Sequence, residues 1–112
     1  MAEIDGGILD RLFATVAARR GADPASSYTA KLLSRGTARI AQKLGEEAVE
    51  AVIAATSRDR EGLIGESADL LFHLLVAWED AGIAPQEVWR ALESRIGVSG
   101  LAEKAARQAQ GG

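Results

Sequence analysis

Five carboxylates mark where this chain could do chemistry. Glu46, Glu47 and Glu50 crowd one stretch, and Glu66 and Asp69 follow in a second. Helical geometry turns about 100° per residue, which draws each group into a narrow arc. With Ile40 at zero, Glu46 falls at about 240°, Arg39 at about 260°, Glu50 at about 280°, Lys43 at about 300° and Glu47 at about 340°. In the second stretch, with Gly62 at zero, Asp69 falls at about 340°, His73 at about 20° and Glu66 at about 40°. Nearly everything else there is apolar, including Leu63, Ile64, Leu70, Leu71, Leu74 and Val76.

Two readings compete for these arcs. Acids occupy 16 of 112 positions, so two acids three apart should arise by chance about twice in such a chain. Each arc could therefore be the one solvated stripe of its helix. Charge pairing argues the other way. A solvated acidic stripe carries Lys or Arg four residues on, each pair contributing roughly 0.2–0.5 kcal/mol. Here Glu46 is followed by Glu50, Glu47 by Ala51, Glu50 by Ala54, Glu66 by Leu70 and Asp69 by His73; Lys43 is the nearby cation. Carboxylates packed on adjacent helices repel, and a divalent cation reverses the sign of that energy. Oxygen ligands without thiols suit magnesium, with manganese as a substitute, better than zinc. Spacing alone leaves the metal site and the solvated stripe both open.

The elements that must position these acids are helices. Ile8 to Arg20 reads as a first helix, with Leu9, Leu12, Phe13 and Val16 on its apolar side and Gly21 as its stop. Ala22 to Arg35 reads as a connection, with one helical turn at Lys31–Leu33. Thr37 is a candidate N-cap for a second helix reaching Thr56. Ser57–Asp59 forms a turn, and Ser57 or Asp59 can cap a third helix ending at Ala81, before Gly82. Pro85 suits the first turn of a fourth helix running to Ile96. Ser99 can cap a short fifth helix to Gln108. No stretch reads as a strand. The expectation is one all-α domain over residues 1–112, a bundle of four to five helices. The third helix is apolar almost all round, which calls for burial on several sides. So short a chain supplies few neighbours, so the core should be completed by homodimerisation.

Bulk properties narrow the class. The chain is 47% hydrophobic and 26% charged, so it should fold. A net charge of -3 gives no basic footprint for nucleic acid and no attraction to an anionic membrane. The absence of cysteine excludes disulfides and thiolate metal sites and fits a reducing compartment. No apolar run is long enough to span a membrane. The acidic start, Glu3 and Asp5, lacks the basic opening of a secretory signal. A soluble, cytoplasmic protein is expected.

The run Lys43-Leu44-Gly45-Glu46-Glu47-Ala48-Val49-Glu50, followed by Glu66-Ser67-Ala68-Asp69, resembles the Glu-Glu-x-x-Glu … Glu-x-x-Asp signature of the all-α nucleoside triphosphate pyrophosphatases. Three further pieces resemble the phosphoribosyl-ATP pyrophosphatase branch: Ser27–Leu32, Asp69–Val76 and Ser99–Arg107. Phe72, where that branch often has Tyr, and Trp78, where an aliphatic residue is usual, depart from it. The resemblance implies hydrolysis of phosphoribosyl-ATP to phosphoribosyl-AMP and pyrophosphate in histidine synthesis. It implies Glu47, Glu50, Glu66 and Asp69 as magnesium ligands. Glu46 would be an outer or second-metal carboxylate, or the group that orients water. The substrate is a polyanion, so cations should stand near the acids. Lys43 is the best placed, against the bland alternative of an ion pair with Glu46 or Glu47. Arg35, Lys104 and Arg107 are further candidates, with Lys31 and Arg39 behind them. Tyr28 could stack on adenine or pin its loop. His73 should support Asp69 from one turn away, with a general-base role as the lesser alternative. Two rivals remain: a house-cleaning pyrophosphatase of free, non-standard nucleotides, and a non-catalytic helical dimerisation module.

Overall fold

Short connections decide which helices become neighbours. The computed structural model describes residues 4–97 and 107–108. It contains α1 (Ile8–Ala18), α2 (Tyr28–Arg35), α3 (Thr37–Thr56), α4 (Arg60–Ala81) and α5 (Pro85–Glu93). No strand occurs among the described residues, and the fold is all-α. The short helix expected from Ser99 lies outside the described residues except for its end, where Arg107 and Gln108 are helical.

The turn at 57–59 folds α3 and α4 into an antiparallel hairpin, the most extensive helix pair of the molecule. Asp59 fixes where α4 begins, because its carboxylate accepts the Gly62 N–H at 3.0 Å. Gly82 ends α4 in the left-handed region at φ 73°, and the Ile83 N–H returns to the Trp78 carbonyl at 2.9 Å. Pro85 then starts α5, and the Glu87 carboxylate accepts the Ala84 N–H at 2.9 Å. Trp89 donates its indole N–H to Asp10 at 3.1 Å and meets Trp78 edge to face, which ties α5 to α1 and α4.

Four local features differ from the sequence expectation. Residues 28–35 form a full helix and not a single turn, because the Ser27 hydroxyl accepts the Ala30 N–H at 3.1 Å and Ala30 and Leu32 turn into the core. Thr37 is the first helical residue of α3 and not its cap. Its hydroxyl donates to Asp80 at 2.7 Å instead, and Gly36 holds the cap position at φ 92°. The first helix stops at Ala18, and Arg20 beyond it reaches the Glu79 carboxylate and carbonyl, each at 2.8 Å. The fourth expected helix ends at Glu93, with Ser94–Gly97 in turns.

The core joins one or two residues from each of the first four helices. Val16, Leu32, Ile40 and Val76 are buried together, with Leu33 and Phe72 packed around them. It is small. Val49, Val52 and Ile53 of α3 are 57%, 62% and 60% exposed, and Ile64 of α4 is 53% exposed. The apolar circumference of α4 is thus only partly covered within one chain.

This packing sets the cost of two substitutions. Leu75→Ala, at a side chain 1% exposed, should lower unfolding stability by about 2–5 kcal/mol through cavity formation. Asp59→Ala should cost about 1 kcal/mol through loss of the α4 cap. Urea denaturation of both variants checks the order.

Candidate active site

The α3–α4 hairpin brings the two acidic arcs face to face. One carboxylate oxygen each from Glu47, Glu66 and Asp69 lies within 4.8 Å of the others. Glu47 is buried, 9% exposed. Its position explains why: it stands two turns from buried Ile40 and only about 20° away round the helix, so it follows the core-facing line. Glu50 lies one turn further along α3, outside that group, where its carboxyl shares a hydrogen bond with Glu66. Both line a cavity of ≈ 230 Å³ with Ile53, Ser57 and Gly62. Glu46 is exposed and held by its own helix, accepting from Lys43 Nζ at 3.2 Å and from Gln42 Nε2 at 3.1 Å. The five sequence candidates therefore separate into a group of three, a neighbour bonded to it, and one at the rim.

Electrostatics single out Glu66. Its carboxyl pKa is raised from the usual 4.5, first by the hydrogen bond with Glu50, then by burial and by the charges of Glu50, Asp69 and Glu47. Its Oε2 is buried and has no hydrogen-bond partner among the described residues. Lys43 relieves the opposite edge of the group. Its Nζ stands 3.2 Å from Glu46 and 3.8 Å from Glu47. The Lys43 pKa is raised and that of Glu46 lowered, each chiefly by the hydrogen bond between them. An all-oxygen set of converging carboxylates with one orphaned buried oxygen fits a hard divalent cation.

Behind Asp69 stands a buried histidine. His73, 6% exposed, contacts the Asp69 carbonyl through Nδ1 at 2.8 Å. A carbonyl only accepts, so Nδ1 carries the proton, and in the neutral ring Nε2 accepts from the Tyr28 hydroxyl at 3.1 Å. His73 thus bonds the α4 backbone at Asp69, and Tyr28 bonds it from α2. Phe72 buttresses both rings, stacked on Tyr28 at 6.2 Å and edge-on to His73 at 5.0 Å. The Tyr28–His73 bond was hidden in the sequence, since 45 residues separate the pair. Ser27 before Tyr28, a capping residue before a helix-competent run, was the available clue to α2.

The remaining cations scatter. Arg35 lines a cavity of ≈ 660 Å³ with Tyr28, Lys31 and Ser34. Arg107 is exposed. Lys104 lies outside the described residues.

Comparison with known proteins bears on this geometry. The profile of the family described as phosphoribosyl-ATP pyrophosphohydrolase matches residues 9–96. The chain belongs to this family. A phosphoribosyl-ATP pyrophosphatase of Azospirillum brasilense is 60% identical over 106 residues, spanning 95% of this chain and 96% of the relative. One from Granulibacter bethesdensis is 60% identical over 100 residues, spanning 89% of this chain and 62% of the relative. One from Paramagnetospirillum magneticum is 54% identical over 103 residues, spanning 92% and 94%. The match to the family profile contains all five carboxylates, together with Tyr28 and His73.

The raised Glu66 pKa has a consequence for the metal-free protein. A carboxyl whose folded pKa exceeds its unfolded value adds stability that is present below the unfolded value, near 4.5, and lost as pH rises through the folded one. In chelator, wild type should therefore fall progressively behind Glu66→Gln in melting temperature as pH rises from below 4.5 toward neutrality. A constant difference between the two across that range would remove the repulsion argument.

Proposed function

We propose that this member of the family hydrolyses phosphoribosyl-ATP to phosphoribosyl-AMP and pyrophosphate, a step of histidine synthesis, with magnesium held between α3 and α4. The observation that carries the reading is the convergence of Glu47, Glu66 and Asp69 beside an unpartnered buried carboxylate oxygen. Glu47, Glu66 and Asp69 would ligate the ion, and Glu50, already bonded to Glu66, would complete the set. A cation held there supplies positive charge against the triphosphate oxygens and the acidity needed to make a nucleophile of water. Manganese has the same ligand preference and would substitute.

The protein's own groups do the rest. Glu46, at the rim, orients water or holds an outer ion. Lys43, between Glu46 and Glu47, turns to the phosphates as they arrive. His73 and Tyr28 fix the backbone of α4 at Asp69, so that its carboxylate does not drift. Arg35, Lys104 and Arg107 stand as further phosphate-binding candidates. No observation favours free nucleotides as the substrate. No helix among the described residues is long and apolar enough to cross a membrane. The lack of cysteine supports a cytoplasmic setting.

We also propose that the chain works as a homodimer. Val49, Val52 and Ile53 share one face of α3 by their spacing, and Ile64 and Leu71 of α4 are exposed as well. A second copy would cover this apolar surface.

Three results are expected. Glu47→Gln, Glu50→Gln, Glu66→Gln and Asp69→Asn should each lose nearly all pyrophosphate release while their melting temperatures in chelator stay level or rise slightly; turnover within a few-fold of wild type would remove the site. Glu87→Gln, on α5 away from the acids, serves as the active control. Magnesium at a hundred times its Kd should stabilise wild type by about 2.7 kcal/mol and the four variants by much less, read by thermal melting against chelator. Light scattering at micromolar concentration should give the mass of two chains, and a folded monomer there would refute the dimer.

A further inference from the structure

Three cations of α2 and the start of α3 make no ion pair among the described residues. Lys31 and Arg35 lie four apart on α2, and Arg39 follows on α3. Among the described residues none of the three makes an ion pair or a side-chain hydrogen bond. Like charges four apart disfavour a helix. Arg35 gains something from the C-terminal end of α2, but that does not account for Lys31 or Arg39. The three converge on shared space. Tyr28, Lys31, Leu32, Arg35 and Arg39 line a cavity of ≈ 90 Å³. Tyr28, Lys31 and Arg35 also line the ≈ 660 Å³ cavity, whose wall includes Ser26 and Ser34.

Tyr28 joins this basic space to the acids. It lines both cavities, while its hydroxyl bonds His73 and so reaches the backbone of Asp69. Arg39 lies on the same side, since its charge helps lower the pKa of Glu46. Neither of these basic cavities shares a lining residue with the cavity that holds Glu50 and Glu66. The arrangement asks for a ligand with two separated anionic ends, one at the carboxylates and one among the cations.

Resting on the hydrolase reading above, we infer that Lys31, Arg35 and Arg39, walled by Tyr28, form a subsite for a phosphate monoester at the far end of the substrate. In phosphoribosyl-ATP that group is the phosphate of the phosphoribosyl arm, which a free nucleoside triphosphate lacks. The subsite would thus be the element that selects this substrate over ATP. Two guanidinium groups and an ammonium supply charge-assisted hydrogen bonds, with the guanidiniums able to grip the phosphate in pairs. A substrate without that phosphate would forgo these bonds, and that difference is the discrimination.

The test compares phosphoribosyl-ATP with ribosyl-ATP, the same molecule without the distal phosphate. Wild type should lose roughly tenfold to a hundredfold in kcat/KM when that phosphate is removed. Lys31→Ala/Arg35→Ala should lose a similar factor on phosphoribosyl-ATP and much less on ribosyl-ATP. Equal loss on both substrates would mean that the cations serve the triphosphate or the fold, and no loss would mean that they serve neither; each overturns the subsite. A second measurement needs no turnover. Ribose 5-phosphate, titrated in chelator and followed by amide chemical shifts, should perturb residues 28–39 of wild type and not of the double variant. Perturbation elsewhere, or none, also overturns the proposal. If ribose 5-phosphate binds at residues 28–39 but wild type releases pyrophosphate from neither substrate, the subsite stands and the hydrolase reading falls.

Discussion

Repulsion between carboxylates across one helix pair is the constraint around which this molecule is arranged. Glu47, Glu66 and Asp69 converge from α3 and α4, Glu50 leans on Glu66, and one Glu66 oxygen is buried without a partner. Such a group opposes the packing of the two helices that carry it. Lys43 compensates at one edge only, and it is shared with Glu46. In the proposed metal site a divalent cation would turn each repulsion into a ligand bond. The local cost would then be the latent affinity of the proposed site, and the rest of the fold has to hold the hairpin closed against it.

Several polar ties do that holding at a distance from the acids. The Asp59 cap fixes the start of α4 relative to the turn. At the other end, Thr37 bonds Asp80 and Arg20 grips Glu79, so the start of α3 and the end of α1 are both clamped to the last turn of α4. Between them, Tyr28 and His73 reach the carbonyl of Asp69. These bonds are individually modest, and the exposed pairs among them weaker still. In the proposed hydrolase their value would be geometric, because phosphoryl chemistry tolerates little drift in the groups that position the reacting atoms.

The apolar side of the hairpin completes the design. Val16, Leu75 and Val76 are sealed, yet Val52 and Ile53 stand in water in the single chain. A core this small is marginal for a helical domain of its length, and covering the exposed face would add support to the hairpin that carries the acids. A second chain would then stabilise the same two helices that the carboxylates drive apart.

Much of this was legible in the residues. The period of the apolar positions located the α3–α4 hairpin almost to its ends, because long amphipathic helices with a capping Asp59 and a stop at Gly82 leave little choice. The carboxylate spacing, three apart on each helix, placed the acids on single faces, and the matching motifs indicated the family. What the chain order could not convey was which acids meet. Glu47, Glu66 and Asp69 converge while Glu46 stays at the rim, and that depends on how α3 is rotated against α4, a matter of packing around Ile40 and Val76. The extent of α2 was missed for a related reason: eight residues have weak helical preference alone, and burial of Ala30 and Leu32 supplies the rest. The Tyr28–His73 bond and the grouping of Lys31, Arg35 and Arg39 on shared cavities belong to the same class. Local spacing determines which side chains share a helix face. Only tertiary packing decides which faces meet, because long-range contacts leave no period in the sequence.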